Sequence, residues 1–139
     1  MIHLVYVSSA THEMSEQDLI DLLEQSRTRN NEQNISGMLL YAGGNFFQVL
    51  EGDEKDVDDI YASIIRDNRN TGNIEILKET IDERTFPGWT MGFAHLTRQE
   101  VSSIEGYSEF LGTNMEPTEF ANRPDKVLGL LYKFKRDNI

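Results

Sequence analysis

Apolar residues occupy both parities of residues 2 to 9, with Ile2, Leu4 and Tyr6 on one side and Val5 and Val7 on the other. Burial on both faces predicts a central strand. From Ser15, a good N-cap followed by acidic residues, Leu19, Leu22 and Leu23 recur at helical spacing toward Asn30 and predict an amphipathic helix. Gly37 to Tyr41 and Phe46 to Glu51 are β-rich runs separated by Ala42-Gly43-Gly44-Asn45, a turn segment tolerant of positive φ, which predicts a hairpin. Asp53 is placed to cap a second helix with Val57, Ile60, Tyr61, Ile64 and Ile65 on one stripe, ending at the breaker segment Asn70 to Gly72. Residues 73 to 81 and 89 to 94 predict two more strands, joined by a loop holding Pro87 and Gly88.

The order is therefore βαββαββ, and its first six elements are those of a ferredoxin-like α+β sandwich, an antiparallel sheet with two helices on one face. That fold licenses no function by itself. Beyond His95, Arg98 to Leu111 reads as helical, and the apolar Val127 to Phe134 stretch as a last helix that docks or mediates self-association. The expected organisation is a domain over residues 1–95 with a C-terminal helical extension over 96–139.

Composition narrows the chemistry. With 139 residues the chain is sized for one core. No apolar run approaches the ~20 residues of a membrane span, and the first residues lack the pattern of a secretory signal, so a cytoplasmic protein is expected. The absence of cysteine excludes disulfides, thiolate metal sites and a cysteine nucleophile. A net charge of −11 opposes a phosphate backbone, so nucleic acid is not an expected partner.

Three polar side chains fall on apolar stripes. Asn30 lies seven positions after Leu23 and eleven after Leu19, on the core-facing side of its helix. Gln48 shares a strand face with Phe46 and Leu50, and Tyr6 shares one with Ile2 and Leu4. A buried amide or phenol needs partners, and backbone or water supplies them in most proteins. Three together suit the edge of a planar heterocycle such as a flavin or pterin, with its alternating acceptors and donors. Trp89 and Met91, two apart on a predicted strand, would share a face, which core packing explains equally well. Arg66, Asp67 and Arg69, near the second helix end, suit either a phosphate tail or plain solvation.

The motifs LVYVSS around Tyr6, RNNEQNISGMLLY from Asn30, FFQVLEG around Gln48, RDNR from Arg66 to Arg69 and FPGWTMGF with Trp89 and Met91 resemble the BLUF family of flavin-dependent blue-light sensors, from Leu4 through Phe93. The resemblance implies a noncovalent flavin between the two helices, FAD in the family, with FMN or riboflavin as alternatives. Asn30 would bond its pyrimidine edge, Gln48 would bridge the ring to Tyr6, and Leu22 and Ile64 would flank it. Arg66, Asp67 and Arg69 would lie toward the ribityl and phosphate chain, and Arg29 occupies a position that varies among members.

On that resemblance the chain is a photoreceptor rather than an enzyme, with Tyr6, Gln48, Trp89 and Met91 as the photoactive set and a downstream signalling protein as its partner; no fused cyclase or phosphodiesterase fits in 139 residues. A homo-oligomer is expected. Two rival readings are weaker on the residues. A small ferredoxin-like enzyme lacks support, since His3, His12 and His95 show neither metal spacing nor a nucleophile–base pairing. An RNA-binding module lacks the basic residues that GNFFQVLEG on a third strand would need around it.

Overall fold

The computed structural model describes residues 1–96, 127–129 and 131. The elements run β1 (Ile2–Ala10), α1 (Glu16–Glu32), β2 (Ser36–Ala42), β3 (Asn45–Gly52), α2 (Glu54–Arg66), β4 (Asn70–Thr80) and β5 (Gly92–Leu96). The sheet order is β4-β1-β3-β2-β5. The first four strands pair antiparallel, as a ferredoxin-like sandwich requires, and β5 adds to β2 in parallel.

Alternation along the central strands sorts the core into two layers. Leu4, Tyr6, Leu39, Phe46 and Leu50 meet Leu19 and Leu23 of α1 and Val57 and Ile60 of α2. Val5, Val7, Met38, Leu40, Phe47 and Val49 point to the opposite, outer face, where Phe86, Val127 and Leu131 cover them. The one described part of the C-terminal tail, with Val127 to Gly129 and Leu131 helical, thus docks on the sheet of its own chain. The predicted helix from Arg98 to Leu111 lies outside the described residues.

Local signals explain most element ends. Ser15 and Asp18 form a reciprocal capping box at the start of α1. Gly43 and Gly44, at φ 58° and 77°, close the β2–β3 hairpin with the two positive-φ residues that match strand twist. Asp53 takes the N-cap position of α2, but its side chain makes no cap hydrogen bond. The second-helix stripe is narrower than its periodicity suggests, because Ile65 lies 51% exposed.

Two boundaries depart from the sequence reading. β4 begins at Asn70, inside the segment read as a breaker, because pairing with β1 continues to Ala10↔Asn70 across two register shifts. β5 begins only at Gly92, so Trp89 and Met91 precede it and do not stand on a strand.

Candidate functional site

The helix-side layer holds a cleft between α1, α2 and the sheet. Tyr6, Leu39, Phe46 and Gln48 form its floor, Leu22, Ser26 and Arg29 one wall, and Ile64, Asp67, Arg69 and Asn70 the other. Its mixed apolar and polar lining is that of a cofactor site.

Tyr6 and Gln48 are directly opposite in the β1–β3 register, which fixes their side chains next to each other on the cleft floor. The Tyr6 hydroxyl donates to Gln48 Oε1, and Gln48 Nε2 donates to Met91 Sδ at 3.3 Å. Tyr6 and Gln48 are only 3% and 2% exposed, so this relay is closed to bulk water. Burial, reinforced by the neighbouring Tyr61 phenol, pushes the Tyr6 pKa far above its ordinary value and keeps it a protonated donor at neutral pH. The Tyr61 ring packs 5.1 Å from that of Tyr6, and its own phenol is pushed up to about 12 by burial and by Glu75.

Asn30 is fully buried; its Nδ2 donates to Thr90 O at 2.9 Å while its Oδ1 has no protein partner. Arg29 leaves Nε without a partner at the cleft wall, and desolvation there lowers the pKa of its guanidinium. Such orphaned buried atoms are expensive in a folded chain unless a ligand supplies the missing bonds. A flavin, whose ring edge offers both donors and acceptors, suits the unpartnered Arg29 Nε and the Leu22 and Ile64 walls of the cleft, whereas Asn30 is not among the residues that line it.

At the far end Asp67 and Arg69 line the cleft and bond one another, Arg69 Nε reaching Asp67 Oδ1 at 2.9 Å. That hydrogen-bonded pairing lowers the Asp67 pKa and raises that of Arg69. Arg66, grouped with them by sequence, is exposed and outside the cleft lining, because α2 turns its last residue to solvent.

Trp89 and Met91 do not share a face. Phe86, Pro87, Gly88 and Trp89 form a tight turn closed by Trp89 N donating to Phe86 O at 3.1 Å, with Gly88 at φ 79°. The turn sends the Trp89 ring to the outer layer, edge-on to Phe86 at 5.8 Å, while Met91 falls in the helix-side layer at Gln48.

Sequence reasoning also passed over Ser26, Leu39, Asn70 and Tyr61. Ser26 lies four residues after Leu22 and four before Asn30, so its position on the same helical stripe was the available signal. Among the described residues no cluster of His, Asp and Glu could hold a metal ion.

Replacing Asn30 by Ala removes both the Thr90 tether and the free Oδ1, at a cost of roughly 1–3 kcal/mol of interaction. The flavin content of purified Asn30→Ala, read from its visible absorbance, is expected to fall about tenfold or more at limiting flavin. Unchanged occupancy would remove Asn30 from the binding set.

Residues 1–92 match the family model described as BLUF, sensors of blue-light using FAD. The photoactivated adenylate cyclase subunit beta-like protein FB of Euglena gracilis is 37% identical over 89 residues, 63% of this chain and 10% of that protein. The blue light- and temperature-regulated antirepressor BluF of Escherichia coli (strain K12) is 31% identical over 83 residues, 60% of this chain and 21% of the relative. The chain thus spans a small part of the curated relatives it matches. The dark-state structure of BlrB, a BLUF protein, superposes with a TM-score of 0.76 over 99% of this chain and 96% of that one; at 23% identity, that likeness concerns the fold.

Proposed function

This chain belongs to the BLUF family of sensors of blue light using FAD, and from that premise we propose that Tyr6, Gln48 and Met91 form its switch. The observation that carries the reading is the continuous relay from the Tyr6 hydroxyl through the Gln48 amide to the Met91 thioether, built into the floor of the cleft between the two helices.

When bound and excited by blue light, FAD supplies an oxidant strong enough to draw an electron from a neighbouring phenol. Tyr6 is held for that role. Its hydroxyl already points along a hydrogen bond, so the proton has an acceptor in Gln48 Oε1 as the electron leaves. The charge states of a phenol are poorly solvated at this depth, which favours moving proton and electron together. An amide offers a donor at one end and an acceptor at the other, so rotation or tautomerisation of Gln48 exchanges what it presents to Tyr6 and to Met91. On rotation Met91 Sδ loses its donor, and residues 84–91 become the two-state element biased by light.

Asn30, Leu22 and Ile64 would hold the ring, and Arg29, Asp67 and Arg69 would lie along its ribityl and phosphate chain; Arg66 is withdrawn from that set because it faces solvent. Trp89, turned to the outer face, would report the switch rather than touch the flavin. The sensor module turns over no substrate, and its output passes to a protein partner; the photoactivated adenylate cyclase subunit and the blue light-regulated antirepressor among its relatives support a signalling output. No described helix is long and apolar enough to cross a membrane. The strongly acidic chain makes nucleic acid a poor partner.

Purified protein is expected to be yellow, with flavin bands that move slightly to the red under blue light and return in the dark. A colourless protein that takes up no added FAD would overturn the reading.

We further propose that residues 1–95 form the sensor and 96–139 an extension that shields its outer face. Val127 and Leu131 are fully buried against that face. Truncation after Asn122 removes both, a loss of about 1.5–3 kcal/mol for each buried side chain, and uncovers apolar sheet. Such a protein is expected to stay yellow but to self-associate, read as a rise in scattering mass or a loss of solubility. An unchanged mass at equal solubility would sink the proposal.

A further inference from the structure

Glu51 stands three residues beyond Gln48 on β3, and strand alternation therefore points it to the outer face. It is fully buried, a costly place for a carboxylate unless every lone pair is used. Its Oε1 accepts from Ser36 Oγ at 2.9 Å and from Phe86 N at 2.7 Å, and its Oε2 accepts from Thr85 N at 2.8 Å. Arg84 closes the cluster, donating to Ser36 Oγ at 2.7 Å, to Glu51 O at 3.0 Å and to Asn34 O at 2.7 Å.

These bonds grip the start of the segment whose other end is the switch. Residues 84–91 are irregular, so side chains must hold them where ladder bonds do not. From the helix side Asn30 holds Thr90 O, Arg27 Nε holds Met91 O at 3.1 Å, and Gln48 reaches Met91 Sδ. One strand thus fastens the same segment at both ends, with Gln48 below the sheet and Glu51 above it. No conformational change at Gln48 leaves the Glu51 clasp untouched unless the intervening residues absorb it.

We propose that Glu51 is a positioning residue for the photoswitch, holding residues 84–91 so that Met91 stands ready to receive the Gln48 amide and thereby setting how fast the lit state returns to dark. This rests on the reading of Gln48 as the switch. A Gln at position 51 keeps the shape but faces one backbone N–H with its own amide donors, so the clasp loosens without leaving a cavity. Met91 then no longer waits in its dark position, and the return is slower.

The test compares dark recovery of the flavin-loaded full chain after blue light in wild type, Glu51→Gln, Ser36→Ala and a control, Leu77→Ala, which trims the outer core away from this segment. Recovery in Glu51→Gln is expected to slow by about three- to tenfold, with a smaller slowing in Ser36→Ala, while the control recovers at the wild-type rate despite a comparable loss of Tm. Amide exchange at Thr85 and Phe86 in the dark protein is expected to rise in Glu51→Gln alone among the stability-matched pair. If Glu51→Gln does not fold, Ser36→Ala decides. Recovery at the control's rate in both variants, or faster recovery, overturns the assignment while leaving Gln48 in place. A wild type without any reversible red shift overturns both.

Discussion

Gln48→Leu is expected to keep its flavin and lose its photocycle. Leu preserves approximate volume on a floor already lined by Leu39 and Phe46, so the cleft survives. Two groups are left unpaired by the change, the Tyr6 hydroxyl and the Met91 thioether, because both bond Gln48. The phenol is the serious loss, worth roughly 1–3 kcal/mol as a buried donor without an acceptor, and burial of the new apolar surface offsets part of it. Tm should therefore fall by only a few degrees. The dark absorption band is expected to move slightly to the blue as a hydrogen bond to the ring is lost, with no long-lived red-shifted state after illumination. An absorption difference that persists in the dark would show that Gln48 is a packing residue.

Tyr6→Phe is expected to separate binding from switching from the other side of the same bond. The ring still packs against Tyr61 and fills its place on β1, so flavin content should match wild type. What goes is the one hydroxyl that donates to Gln48 Oε1 and, with it, both the electron source and the proton that must travel with the electron. The reversible red shift should disappear altogether. Flavin fluorescence should rise at the same time, because the fastest route for losing excitation has been removed. Since Tyr61 lies beside Tyr6 with an intact phenol, a normal photocycle in Tyr6→Phe would identify Tyr61 as the donor and overturn the assignment.

Periodicity made Tyr6, Gln48 and Asn30 legible. Each is a polar residue on an apolar stripe of a regular element, and in a strand or helix the repeat dictates the face. The β1–β3 register then turned two separate anomalies into one hydrogen bond, a step that no spacing within either strand contains. The same parity places Glu51 with Phe47 and Val49, so a carboxylate on an apolar stripe was visible in FFQVLEG; its meaning was not, because its donors come from residues 36, 85 and 86.

Trp89 and Met91 mark where periodicity fails. Alternation assigns them one face only if the chain there is extended, and the turn marked by Pro87-Gly88 includes Trp89, with the strand starting only at Gly92. Long-range bonds decided it: Gly37 N takes Trp89 O at 3.0 Å, and Asn30 takes Thr90 O, before β5 pairs with β2 from Gly92 onward. By itself the sequence determined the elements, the two faces of the central strands and the three inward polar groups, since local sterics and hydrophobic period act within a few residues. Only the tertiary structure decided that Arg66 faces solvent while Arg69 lines the cleft, and that Met91 meets Gln48 while Trp89 turns away, because those outcomes depend on partners tens of residues distant in the chain.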